Sequence, residues 1–259
     1  MKICVLMKQV PDKDSSIKIS MDNLSIDESI VSFTTNESDA YALEEALQIK
    51  EKTNGEVVIC TFGKDSAIQV VKDGLAKGAD RAIFINNKDK ENLDVLSIGK
   101  IISKKLIDEK FDLILSGLQS DDDGNSQLGL IISELLNTSH GSLVMGTEIN
   151  GNESIKVKRE LENGWFQWSK LDLPASLSIQ SGINTPRYAS LKGIMAMKKK
   201  TIDKFTIDEL GCSEINSKVN LEQIYIPQKS KTTDYIDGSP TEIAEKLVDI
   251  FKNEIKVLG

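Results

Sequence analysis

The sequence predicts an α/β protein: a mostly parallel, doubly wound sheet with an antiparallel portion and a C-terminal arm. Three observations carry this. Through the first half of the chain, short apolar runs rich in β-branched residues alternate with longer segments of helical periodicity, the pattern of parallel strands joined by crossover helices. A stretch of alternating polarity with Asn-Gly turns comes next, and a charged, less regular tail closes the chain. With 259 residues the chain is long enough to bury a sizeable core.

In chain order, strands are expected at 3–7, 57–62, 82–85 and 113–116, and helices at 38–53, 66–77, 94–110 and 126–136. Asn54-Gly55 and Lys77-Gly78 supply helix stops, because both residue types tolerate the left-handed backbone that ends a helix. Residues 21–35 are expected to form a polar hairpin or excursion. Residues 143–183 alternate as antiparallel strands do, with turns at Asn150-Gly151-Asn152 and Glu162-Asn163-Gly164, so the sheet is expected to be mixed. Beyond Lys200, a short helix is expected at 206–210 and an amphipathic helix from Ser239 or Thr241 to Lys256. Between them, residues 213–237 are polar and aperiodic, and a connection of that length is expected to wrap over another surface.

A net charge of −8 with both signs interspersed argues against nucleic acid as a general partner, since phosphate binding needs a concentrated positive field; Lys198-Lys199-Lys200 is a local basic patch only. Cys4, Cys60 and Cys212 have no metal-type spacing, and the first two lie in apolar runs as buried, reduced thiols. The N-terminus begins on a strand pattern without a leader, and no apolar run approaches the ~20 residues that span a bilayer, so a soluble, cytoplasmic protein without membrane insertion is expected.

The first candidate site is the small, polar run from Ser116 through Gly124, Asn125, Ser126 and Gln127 to Gly129, which follows a strand and opens a helix. In an open parallel sheet, ligands bind beyond the carboxyl ends of strands, and free amides at a helix N-terminus favour phosphate. The second is Gly78, Ala79, Asp80 and Arg81, where a glycine allows close approach and an aspartate could hold a ribose; the plainer reading is a helix cap beside a salt bridge. Asp121-Asp122-Asp123 invites a magnesium reading, but neighbouring turn residues diverge, and helix capping accounts for much of the run. His140 reads as a loop histidine bonded to backbone, Asn36-Glu37-Ser38-Asp39 as a helix cap, Glu44 and Glu45 as a solvated face, and Trp165 and Trp168 as a half-exposed strand pair. No nucleophile with its base and no Walker-type loop is visible, so no catalytic residue is expected.

Val157, Arg159, Glu160, Glu162 and Gly164, then Leu173-Pro174-Ala175, Asn184, Pro186-Arg187-Tyr188 and the lysine triplet, follow the order V-x-R-E-x-E-x-G, L-P-A, N-x-P-R-Y, K-K-K. This resembles the signature region of the electron transfer flavoprotein beta subunit, and segments at 5–12, 43–51, 75–81 and 119–129 also look like family segments in family order. The resemblance implies a three-layer α/β domain over residues 1–200 and an arm over 201–259 that docks on an alpha subunit. It implies an electron carrier rather than an enzyme, with AMP in this subunit and an FAD shared with the alpha subunit. By position, Leu6, Asn36, Phe62, Gly78, Ala79, Asp80, Arg81, Gly124, Asn125, Ser126 and Gln127 would line the nucleotide. Tyr188, Leu191, Ile194 and Met195 would form the recognition loop for a dehydrogenase donor of acyl-CoA or methylamine type, with a quinone oxidoreductase or another acceptor downstream. A buried stripe on a short helix is the competing reading of that spacing.

Residues 120–129 depart from the D-G-D-T-A-Q-V-G form of electron-bifurcating members, although Gln127 and Gly129 fit its spacing, and residues 177–184 look closer to members serving methylamine-type dehydrogenases. That favours AMP over a second FAD. Lys13 stands near the place of an aromatic that some members set beside the flavin. The rival classes are a nucleotide-binding regulator of universal-stress type, whose glycine-spaced phosphate motif is not evident, and an ATP-dependent ligase, whose S-G-G-x-D-S loop is replaced by Lys8-Gln9-Val10-Pro11-Asp12.

Overall fold

The apolar runs become strands and the periodic segments helices in the computed structural model, which describes residues 1–88, 90, 92–228 and 233–257. The chain runs β1 (Lys2–Leu6), β2 (Gln9–Pro11), β3 (Phe33–Thr35), α1 (Glu37–Thr53), β4 (Glu56–Gly63), α2 (Ile68–Lys77), β5 (Arg81–Asn86), α3 (Val95–Leu106), β6 (Leu113–Gly117) and α4 (Leu128–Leu136). It continues through β7 (Ser139–Asn150), β8 (Ser154–Glu160), β9 (Phe166–Asp172), β10 (Ala175–Ile179), α5 (Leu191–Met197), β11 (Ile202–Thr206) and α6 (Pro240–Asp249). Among the described residues, nine strands make one sheet in the order β11-β5-β4-β1-β6-β10-β7-β8-β9, parallel from β11 to β7 and antiparallel beyond. β2 and β3 form a separate antiparallel pair.

Three layers follow from where the apolar side chains go. Leu43, Leu47 and Leu75 of α1 and α2 close over Val5, Ile59 and Leu115 on one face; Ile101, Leu106 and Ile132 of α3 and α4 close over Cys4, Ile83 and Ile114 on the other. Each such leucine or isoleucine, fully buried, contributes about 1.5–3 kcal/mol. Both expected helix stops are present: Asn54 ends α1 in the left-handed region, and Gly78 ends α2 at φ 136°. The three cysteines are free and buried.

The structure differs from the sequence reading in several places. Residues 143–183 are not all antiparallel: β10 inserts between β6 and β7, parallel to both, and all five of its residues are buried. Its alternating serines look like a half-exposed strand but lie beneath α4. Of residues 206–210, Thr206 ends β11 and 207–210 form a turn rather than a helix. α4 starts at Leu128, not at Ser126, because Ser126 holds φ at 55°, outside helical range. His140 lies within β7, and both its ring nitrogens are buried with no hydrogen-bond partner among the described residues; burial first and the Arg159 charge second lower its pKa.

The chain divides into two compact units, Met1–Ile224 and Tyr225–Gly259. Beyond Lys200 the chain first adds β11 to the edge of the sheet beside β5, which is why the first unit runs past the functional division expected at 200/201. In the second unit, Ser239 and Glu242 form a reciprocal capping box, Pro240 opens α6, and the helix runs on into a wider turn at Ile250–Glu254. Positions 229–232 of the expected polar stretch and 258–259 of the arm lie outside the described residues. No helix among the described residues is long and apolar enough to cross a membrane.

Candidate nucleotide crevice and exposed docking helix

The strand order reverses at β1. The chain moves outward through β4 and β5, then crosses back to lay β6 on the other side of β1. The carboxyl ends of β1 and β6 therefore splay their loops apart, and a crevice opens where doubly wound sheets bind ligands. Asp39, in the first turn of α1, is 6% exposed, and its carboxylate accepts from Lys8 N at 2.8 Å and Gly117 N at 2.9 Å, tying the two strand ends together. Burial pushes its pKa up to about 7, against the two backbone donors. A Cβ on Gly117 would overlap Ser38 and the Asp39 carboxylate, so only glycine fits there.

Asn36 occupies the N-cap position of α1 but does not cap it. Its side chain reaches across the crevice, donating to Gln119 O at 2.9 Å and accepting from Asp121 N at 2.9 Å, while Ser38 Oγ donates to Gln119 O at 2.6 Å. In return, Asp121 accepts from Glu37 N at 3.2 Å, so this aspartate caps α1 rather than α4. Asp122 and Asp123 each accept from the Lys8 ammonium at 2.7 Å. Burial disfavours the charge on Lys8, but these two hydrogen bonds more than offset it and its pKa rises. No acidic, histidine or cysteine grouping fit to hold a metal occurs among the described residues.

The acidic run is engaged in this way although its side chains remain exposed, and the residues that follow it are neutral. Gly124 and Ser126 both have positive φ, at 61° and 55°, and Asn125, Ser126 and Gln127 are exposed at the mouth. Behind them, the first amides of α4 precede its first internal bond, from Ile131 N to Gln127 O at 3.0 Å, and have no helical acceptor. α4 sits close on the sheet: a Cβ on Gly129 would stand 2.7 Å from both Ser116 Oγ and Ser178 Oγ. Ser116 Oγ, buried below this turn, has no partner among the described residues.

The expected site residues separate into two groups. Leu6, Asn36, Phe62 and Gly124 to Gln127 lie at the carboxyl edge; the Leu6 side chain is buried in the core, leaving its backbone for any contact. Gly78, Ala79, Asp80 and Arg81 lead into the start of β5, at the opposite edge of the sheet, roughly 20 Å away along six residues of strand. There Asp80 pairs with Lys50 at 2.6 Å and accepts from Val57 N at 2.8 Å, and Arg81 bonds Glu56 at 2.9 Å and Glu109 at 2.6 Å. Gly117 lies in the first candidate run, while the roles of Lys8, Ser38 and Asp39 were missed by sequence reading. The N-x-S-D order did signal a helix start, but a cap and a cross-crevice strut share that pattern.

A second exposed feature is α5. Tyr188, Leu191, Ile194 and Met195 are 95%, 82%, 42% and 72% exposed, so the spacing does not mark a buried stripe. Its approach is anchored on α1 by two glutamates, Glu44 and Glu45, that are buried rather than solvated. Arg187 bonds Glu44 at 2.7 and 3.0 Å and Glu51 at 2.7 Å, and Asn184 donates to Tyr41 O and Glu45, each at 3.1 Å. In the antiparallel portion, Trp165 and Trp168 are 73% and 51% exposed.

Residues 23–210 match the family pattern described as the electron transfer flavoprotein domain. The chain is 34% identical to the electron transfer flavoprotein subunit beta of Methylophilus methylotrophus, covering 99% of each chain, and 34% identical to that of Bacillus subtilis (strain 168), covering all of both. A mitochondrial subunit beta from Oryza sativa subsp. japonica is 31% identical over the full length of both chains.

Proposed function

This chain belongs to the electron transfer flavoprotein family, as a beta subunit, and from that premise we propose that it holds one AMP in the β1/β6 crevice and works as an electron carrier with an alpha subunit. The observation that carries the nucleotide reading is the cradle at residues 124–130: free amides at the start of α4, exposed neutral side chains, and nearby carboxylates already engaged by Lys8 and by α1. A phosphate bound there would meet donors beside carboxylates whose charge Lys8 and the α1 amides partly offset. The residues present therefore fit an adenine nucleotide, with Asn125, Ser126 and Gln127 as side-chain donors and Ser116 in reserve beneath. Among the described residues nothing near the crevice pairs a nucleophile with a base, so on this reading the nucleotide is held and not turned over.

An FAD shared with the alpha subunit would supply the one- and two-electron chemistry; the donor is a dehydrogenase of acyl-CoA or methylamine type, docking at Tyr188, Leu191, Ile194 and Met195, and the acceptor is a quinone oxidoreductase or its equivalent. Coexpression with the alpha subunit, followed by release and mass identification of nucleotides, is expected to give one AMP and one FAD per heterodimer. Two FAD and no AMP would establish the bifurcating type instead. Removing side-chain donors with Asn125→Ala and Gln127→Ala is expected to weaken AMP retention by about tenfold each, the equivalent of one net hydrogen bond, with the flavin spectrum unchanged. Full AMP content in the double variant would overturn the assignment.

The arm's docking on the alpha subunit is motivated by α6 and the turn after it, where Leu247, Val248, Phe251 and Ile255 are 38–55% exposed on the second unit. A chain ending at Ile224 keeps β11 in the sheet, and is expected to fold but to lose its partner in copurification. Undiminished recovery of the alpha subunit would reduce the arm to decoration.

A further inference from the structure

Resting on the docking role of α5, we propose that Lys200 is a positioning residue that holds this helix in its presenting orientation. A seven-residue helix is too short to persist by itself, and α5 buries none of its residues fully; Met197, partly buried, packs against the core at its last turn, while Leu191, Ile194 and Met195 stay exposed and contribute little to holding it. Polar and backbone contacts hold it at both ends. At its start, Ser190 Oγ accepts from Gly193 N at 3.0 Å, and Gly193 lies so close to Ala76 O of α2 that a Cβ would overlap that carbonyl. At its end, the Lys200 ammonium donates to Leu75 O at 2.9 Å and Ala79 O at 2.5 Å, the carbonyls around the end of α2. Lys198 and Lys199 are exposed or partly so and bond no side chain of α2, so the triplet divides into two solvent lysines and one clamp.

The clamp has a reason to be a lysine. The last carbonyls of a helix are without internal donors, and a cation there also meets the negative end of the helix dipole. Because Lys200 stands three residues past α5 and its Nζ is fixed on α2, the helix between Gly193 and Lys200 is pinned at two points to one rigid neighbour. Leu191 and Met195 are then exposed without being free to collapse onto the surface, as a docking anchor must be.

The test uses the full chain in its heterodimer with the alpha subunit. In Lys200→Met, amide exchange over residues 191–199 is expected to speed up by about tenfold or more, the scale of losing hydrogen bonds from a charged donor. Gly193→Ala should do the same from the other end. Exchange in β1, β4 and β6, the nucleotide content and the flavin spectrum should stay as in the parent. With an acyl-CoA dehydrogenase and its acyl-CoA, or a methylamine-type dehydrogenase and its amine, as donor, the KM for the heterodimer should rise with kcat held. Leu191→Ala should then add less in the Lys200→Met background than in the parent. Unchanged exchange over 191–199, or faster exchange spread through α2 and the sheet with a falling melting temperature, would overturn the positioning role. Faster local exchange with KM unmoved by both Leu191→Ala and Lys200→Met would instead overturn the docking reading on which it rests.

Discussion

Asp39→Asn is expected to loosen the crevice and release most of the bound AMP. The Asp39 carboxylate accepts two backbone amides from two different strand ends, and an asparagine can accept only one; its amide nitrogen would face the other N–H. A carboxyl oxygen keeps a lone pair for that N–H even when protonated and an amide nitrogen does not, so stranding the buried amide costs about 1–3 kcal/mol, which for a chain of this size lowers the melting temperature by roughly 2–12 °C. Gly117 begins the loop that carries the cradle, so nucleotide retention falls with it. The pH dependence has a definite sign. With the folded pKa raised to about 7 and the unfolded value near the ordinary ~3.9, the folded protein holds a proton in that window that the unfolded chain does not. The contribution of Asp39 is thus greatest below the unfolded pKa and declines as pH rises through about 7. Asparagine does not titrate, so the stability gap between parent and variant should be wider at pH 5 than at pH 8. A variant that melts with the parent and keeps its AMP would refute the strut.

Arg187→Ala is expected to destabilise the first unit by about 2–3 kcal/mol, since breaking a buried ion pair costs about 3–5 kcal/mol and the Arg187 side chain is 34% exposed, which reduces it. The cost falls on Glu44, which is 5% exposed and would keep only Gln48, at 3.0 Å, as a side-chain partner. Burial works to raise the pKa of Glu44, and the hydrogen bonds from Arg187 and Gln48 together with the Arg187 charge outweigh it, leaving the pKa below the ordinary carboxylate value. The stabilisation from this pair is therefore present above the unfolded pKa and is lost as pH falls through the folded one. Parent and variant should differ most near neutrality and converge in strong acid. Because the same arginine sets the entry to α5, donor docking should weaken as well. Thermal melts at pH 7 and pH 3, with Glu44→Gln alone and combined, measure the coupling; melts that superimpose at pH 7 would show that the pair is only a surface contact.

Much of the fold was legible because periodicity and backbone chemistry report on a residue's own burial and torsions. Ile3 to Leu6 reads as a buried strand since all four side chains are buried, and Asn54 and Gly78 read as stops since each must take positive φ. Family order in residues 157–200 was legible for the same reason, as local strings. The carboxyl-edge half of the site could also be reached, from a polar run standing between a strand and a helix.

The remainder depended on strand order, which no local pattern carries. Gly78 to Arg81 look like part of one loop cluster with Gly124 to Gln127 until β5 is placed parallel to β4, and then they stand at the opposite edge of the sheet. Glu44 and Glu45 look solvated until Arg187 and Asn184, more than 130 positions later, are laid against them. Asp39 looks like a cap until β6 comes to lie beside β1 and presents Gly117 N, 78 positions away. The sequence by itself determined the layers and the family. The tertiary structure alone decided which charges meet, because the free energy of a buried carboxylate depends on partners that the topology, and not its neighbours in sequence, brings within hydrogen-bonding distance.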